Sequence, residues 1–227
     1  MNRKQVRHIL DTIGYLFPDA HCELHHNNAF ELAIAVLLSA QCTDVTVNKV
    51  TQRLFQKYKT PYDYVSVSLE ELQQDIRQIG LFRNKAKHIQ HLSAILIEQY
   101  HGELPHAHEE LMKLPGIGRK TANVIVSTAF GVPAIAVDTH VERVSKRLGL
   151  VNLKDSVLEV EKKLMKQVPR DEWSLTHHRF IFFGRYHCKA LQPKCELCPL
   201  RDGCREGTKR LKSISSQTPL QHKKHGN

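Results

Sequence analysis

Six cysteines are spread unevenly along the 227 residues: Cys22 and Cys42 stand alone, whereas four follow one another as Cys188-x6-Cys195-x2-Cys198-x5-Cys204. With an N-terminus that does not read as an export signal, four clustered thiols point to a metal centre more than to disulfides. Structural zinc commonly uses two short Cys-x2-Cys knuckles, and this chain has one. A [4Fe-4S] cluster also takes four thiolates, although this is not the ferredoxin spacing. Spacing leaves zinc and iron-sulfur open. Lys189 and Lys194 fall between the cysteines, either holding a basic loop against phosphate or as ordinary surface charge.

A second reactive stretch is LPGIGRKTANV, residues 114–124. It is not a Walker loop, which needs a glycine directly before Lys-Ser/Thr and another five positions upstream. Here Arg119 separates Gly118 from Lys120, and Lys113 holds the upstream place. The pattern reads instead as a short helix, a tight Pro115-to-Gly118 turn and a second helix, with Leu111, Leu114, Ile117 and Val124 packing inward. Gly116 and Gly118 allow a sharp turn and a close approach, and the second helix's N-terminus, beginning at Arg119, favours an anion such as a backbone phosphate. A plain helix-helix turn without a ligand fits the same residues.

Lys120 falls in that helix's first turn, where the dipole disfavours an ammonium and so favours the neutral amine that a Schiff base needs. It could equally be one more phosphate contact. The following helix is about 18 Å long and the return segment GVPAIAV reaches up to about 23 Å, enough to bring Asp138 back beside Lys120. A Thr139–Glu142 capping box would leave the Asp138 carboxylate unengaged; alternatively Asp138 is itself the N-cap. A lysine and a carboxylate in one cleft beside a phosphate-binding turn would suit attack at a sugar carbon.

The elements that must hold these residues are helical. Apolar residues recur at threes and fours, with helices expected at about 29–39, 44–58, 69–78, 84–100, 108–113, 119–130, 139–148, 156–167 and 171–187, and no convincing period-two strand. Val6, Ile9, Leu10, Ile13 and Leu16 mark an amphipathic N-terminal helix rather than a signal peptide. The apolar run at 32–40 is too short to span a bilayer, so the expected location is cytoplasmic. A hydrophobic content of 41% suffices for one large domain or two small ones. The net charge of +10 favours a polyanion partner. Residues 209–227 read as a flexible basic tail.

Five ordered motifs carry a family resemblance: LLSAQCTD at 37–44, IGLFRNKA at 79–86, LPGIGRKTANV at 114–124, VDTHVERV at 137–144 and the four-cysteine loop. From about residue 3 to 208 the chain resembles endonuclease III, of the helix-hairpin-helix DNA glycosylase superfamily. The resemblance implies an all-α, two-lobed fold with DNA in the groove between the lobes. One lobe is a six-helix barrel over 21–133; the other, residues 1–20 plus 134–208, carries a C-terminal [4Fe-4S] cluster loop ligated by Cys188, Cys195, Cys198 and Cys204.

It also implies that Lys120 attacks C1′ of a damaged nucleotide while Asp138 assists it and stabilises the oxocarbenium-like charge, with β-elimination cutting the strand 3′ to the lesion. The nucleotide must first flip out. Gln41 and Leu81 would fill the vacated space, although turn capping and core packing fit these two residues as well. The DNA contacts expected from the hairpin are Gly116, Gly118 and Arg119, and from the cysteine loop Lys189 and Lys194; the resemblance implies as partner double-stranded DNA containing oxidised pyrimidines or abasic sites. The chain is expected to act as a monomer, away from membranes, and with the nucleoid if bacterial. A related adenine glycosylase, which carries serine where this chain has Lys120 and adds a C-terminal domain, is the nearest alternative; a noncatalytic DNA-binding protein with a zinc-stabilised loop is another.

Overall fold

Helix formation begins at Asn2, whose side chain accepts from Gln5 N while the Gln5 side chain accepts from Asn2 N, a reciprocal cap for α1 (Arg3–Leu16). The computed structural model describes residues 1–215, and all regular structure among them is helical. Chain contacts divide the described residues into two compact units: His21–Ala136 with Arg170–Ser174, and Met1–Ala20 with Val137–Pro169 and residues 175–215.

The first of these units contains α2 (Ala29–Ser39), α3 (Asp44–Lys57), α4 (Pro61–Ser66), α5 (Leu69–Asp75), α6 (Phe82–Tyr100), α7 (His108–Leu111) and α8 (Arg119–Ala129). Every residue from Leu32 to Leu38 is buried, so α2 is the central element that its all-round apolar character suggests. It packs against α3, α6 and α8. Asn28 caps it through Glu31 N, but Glu31 returns its carboxylate to Asn27 N rather than Asn28 N, so the expected box is displaced by one residue. Residues 61–66 form a helix that no period in the sequence predicts. There Thr60 and Asp63 form a capping box and Pro61 occupies the first turn, where its missing N–H costs nothing.

The other unit holds α1, α9 (Thr139–Leu148), α10 (Val157–Gln167), most of α11 (Trp173–Phe182) and α12 (Arg205–Ser215). Its interior is built from Ile9, Ile13, Val144, Leu164, Phe180 and Phe183. A π-helical turn, Phe183–His187, links α11 to Cys188, whose N–H reaches back five residues to Phe183 O at 2.7 Å. The expectation of a tail from 209 needs correction, because 209–215 belong to α12; residues 216–227 lie outside the described residues. Cys204 starts this helix by accepting from Thr208 N and Oγ1 at 3.0 Å. Gly207 permits the close turn, since a Cβ there would lie 2.8 Å from Arg201 O. Among the described residues no helix is long and apolar enough to cross a membrane.

Candidate nucleic-acid interface and metal centre

Leu111, Leu114 and Ile117 are buried and anchor the hairpin between α7 and α8, with Leu114 N donating to Leu111 O and Ile117 N to Leu114 O, each at 3.1 Å. The two glycines do different work. Gly116 sits at φ +79°, and an added Cβ would lie 2.8 Å from Leu37 Cδ1 and 3.1 Å from His88 Nδ1, so the turn is seated on α2 and α6 only because no side chain intervenes. Gly118 is the N-cap of α8 at φ −90°, with nothing within 4 Å of an added Cβ. Its bare face looks onto open space, no side chain caps α8, and Arg119 and Lys120 are exposed beside it.

Gly116→Ala should therefore lower stability by about 2–4 kcal/mol in urea denaturation, combining left-handed backbone strain with overpacking. Gly118→Ala should change stability by less than about 1 kcal/mol yet weaken DNA binding. Equal stability losses would contradict this division.

Gln41 and Leu81 are exposed and share an unusual backbone: they lie at φ 55° and φ 58°, two of four non-glycine residues at positive φ among those described. Holding a branched or long side chain there costs on the order of 1 kcal/mol or more each. Leu81 is 59% exposed, so the core-packing alternative for it does not hold. The two loops touch, since a Cβ on Gly80 would lie 3.3 Å from Gln41 O. Between them lies Lys85, buried at 5% exposure, whose Nζ donates to Leu38 O at 2.9 Å and Ala40 O at 2.5 Å. These are carbonyls at the C-terminus of α2, where a cation complements the helix dipole. Burial pushes the Lys85 pKa below its ordinary value, opposed by Cys42. The sequence signal for Lys85 is its place on the apolar stripe of α6, four residues before Ile89 and seven before Leu92.

Asp138 stands in the other unit and is the N-cap of α9: its Oδ1 accepts from His140 N and Val141 N, both at 2.8 Å. The Thr139–Glu142 capping box does not form, and Glu142 pairs with Lys146 at 2.6 Å instead. Asp138 is thus half engaged, with Oδ2 outside the cap. Farther along α9, Arg143 donates to Gly184 O at 2.9 Å, and Arg147 donates to Lys189 O at 2.7 Å and Ala190 O at 3.0 Å. Gly184 is obligatory, since a Cβ there would meet His140 Cβ at 2.9 Å. Burial pushes the His140 imidazole pKa down, with Asp138 opposing.

Cys188, Cys195, Cys198 and Cys204 line one pocket together with Phe183 and His187. None of the four is in a disulfide. Burial raises the pKa of Cys195 and Cys198, so metal must displace their protons. Four cysteine sulfurs lining one pocket would suit an iron-sulfur cluster held by thiolates. Backbone and guanidinium donors already reach the sulfurs: Arg147 Nη1 lies 3.5 Å from Cys188 Sγ and Gly207 N 3.4 Å from Cys204 Sγ. Such donors favour thiolates over thiols. His187 Nε2 is buried without a hydrogen-bond partner, which a pocket filled by protein alone leaves unexplained. The residues fit an iron-sulfur group. Lys189 and Lys194 are exposed on this loop.

Residues 34–170 match the model for the HhH-GPD superfamily of base excision DNA repair proteins, and residues 188–204 match the iron-sulfur binding domain of endonuclease III. Endonuclease III of Bacillus subtilis (strain 168) is 68% identical over 212 residues, covering 93% of this chain and 97% of the relative. Two solved structures are likewise 68% identical, each covering 93% of this chain and 99% of the other. One is a non-covalent endonuclease III–DNA complex at a TM-score of 0.92, and the other a trapped endonuclease III–DNA covalent intermediate at 0.91. With its hairpin seated on α2 and α6, its four thiols around one pocket and these matches along nearly its whole length, the chain belongs to the endonuclease III family of base excision repair DNA glycosylases and AP lyases, which carry a [4Fe-4S] cluster.

Proposed function

We propose that the chain excises oxidised pyrimidines from double-stranded DNA and then cuts the strand, using Lys120 as the nucleophile. The observation that carries this is an exposed lysine in the first turn of an uncapped helix, two residues beyond a glycine whose bare face is open. The hairpin backbone at Gly116 and Gly118, with Arg119, holds a phosphate of the strand, and Lys189 and Lys194 add further phosphate contacts. Lys120 Nζ, as the free amine, attacks C1′. The base leaves with its bonding electrons and takes up a proton. Ring opening, with one amine proton passing to the ring oxygen, gives a protonated Schiff base, and loss of a C2′ proton to solvent then expels the 3′ phosphate by β-elimination. Asp138 offers Oδ2 to the positive charge that develops on the sugar. Gln41 and Leu81 occupy the space left by the flipped nucleotide, and their strained, exposed backbones support that role.

Cys188, Cys195, Cys198 and Cys204 hold the cluster, which when bound supplies a rigid iron-sulfur core with one-electron chemistry. The covalent intermediate solved for a 68% identical relative supports the covalent reading. Duplex DNA carrying one oxidised pyrimidine should yield free base, a nick 3′ to the lesion and an adduct trapped by borohydride. Base release without a trapped adduct would overturn the Schiff-base route, and no base release would overturn the substrate.

A further inference from the structure

Beyond the four cysteines, the pocket at 188–204 presents one polar group that no protein atom satisfies. His187 lines the pocket with the four thiols. Its Nε2 is buried and lacks a hydrogen-bond partner, while Lys194 N is bonded to its main-chain carbonyl at 3.1 Å. His187 stands at the end of the π-helical turn just before Cys188, four residues after Phe183, and its imidazole stacks on that ring with centroids 5.0 Å apart and planes inclined by 19°. A buried polar atom left unpaired costs stability, and a native fold seldom tolerates one without a function. The other contents of a loaded pocket are iron and sulfur, and sulfur is an acceptor.

We propose that His187 is a fifth cofactor-binding residue, whose Nε2–H donates a hydrogen bond to a sulfur of the [4Fe-4S] cluster and raises its one-electron reduction potential. The inference rests on the reading that Cys188, Cys195, Cys198 and Cys204 hold the cluster. Each one-electron reduction adds negative charge to the sulfurs, so an N–H donor strengthens its bond in the reduced form. Arg147 and Gly207 already donate to two of the cysteine sulfurs; His187 adds a donor on an aromatic wall, without the fixed charge that a guanidinium brings.

The test is protein-film voltammetry of the iron-loaded full chain, comparing wild type with His187→Phe and His187→Gln. Phenylalanine keeps a ring against Phe183 and removes the donor, and glutamine restores an N–H. The potential should fall in His187→Phe by about tenfold in the reduced-to-oxidised ratio, or about 59 mV for one electron, and recover at least partly in His187→Gln. A second measurement needs no variant: pulsed EPR of wild type with 15N-labelled histidine, in a paramagnetic state of the cluster, should show one coupled ring nitrogen with an exchangeable proton. An unmoved potential in His187→Phe, or absence of that coupling, overturns the proposal while a normal sulfur-to-iron absorption leaves the cysteine ligands standing. A wild-type protein lacking that absorption would overturn the ligand reading itself, and this proposal with it.

Discussion

Lys120→Gln should abolish the borohydride-trapped adduct on abasic DNA and slow base release from duplex DNA by roughly a thousandfold or more, the scale on which covalent enzymes lose rate without their nucleophile. An amide nitrogen cannot form a Schiff base. The fold should be indifferent to the change. Lys120 is exposed, and the buried face of α8 is carried by Ala122, Ile125 and Val126, so stability should stay within about 0.5 kcal/mol of wild type. DNA affinity should fall only modestly, because the hairpin backbone and Arg119 remain. Borohydride trapping, thermal unfolding and equilibrium binding on one preparation separate these effects. An undiminished adduct would move the nucleophile elsewhere, and adduct loss accompanied by unfolding would remove the support for Lys120.

The sequence carries much of this site, because each reactive residue sits in a local pattern with a physical cause. Two glycines two residues apart between helical periodicities mark the hairpin, and four thiols in one short stretch mark the metal centre. Their separate duties were not visible. Gly116 is demanded by Leu37 and His88, residues distant in sequence, whereas Gly118 is left bare. Asp138 shows the limit of local rules: two caps compete at 138–142, and the aspartate wins by accepting two backbone N–H groups with one oxygen. The helix at 61–66 escaped notice because six residues with two tyrosines and a valine are too short and too weak in propensity to show a period. The residues 209–215 read as tail because they are basic and polar. Their helix is instead nucleated by Cys204 and lies against α9, contacts that composition does not record.

Lys85→Met should destabilise the protein by about 2–4 kcal/mol, since it leaves two main-chain carbonyls at the end of α2 without their donor. The sign of its pH dependence follows from burial. The folded protein holds this proton less tightly than the unfolded chain, because burial lowers the Lys85 pKa. Its contribution to stability therefore grows as pH rises from that lowered value toward the ordinary 10.5, and the gap between wild type and Lys85→Met should widen with alkalinity. A second consequence concerns catalysis. Lys85 sits four residues after Leu81 and binds the carbonyl just before Gln41, so it ties together the two strained loops proposed to fill the space behind a flipped nucleotide. Loosening that tie should slow base release from duplex DNA by about tenfold or more, the cost of misplacing a positioning group. Cleavage at an abasic site in single-stranded DNA requires no filling of a vacated stack and should be nearly unchanged at temperatures where the variant is folded. If both substrates slow equally, Lys85 holds the fold and nothing more. If only the duplex reaction slows, the buried ammonium is the part that sets Gln41 and Leu81 in register, and the strain in their backbones is maintained by a cation that never meets the DNA.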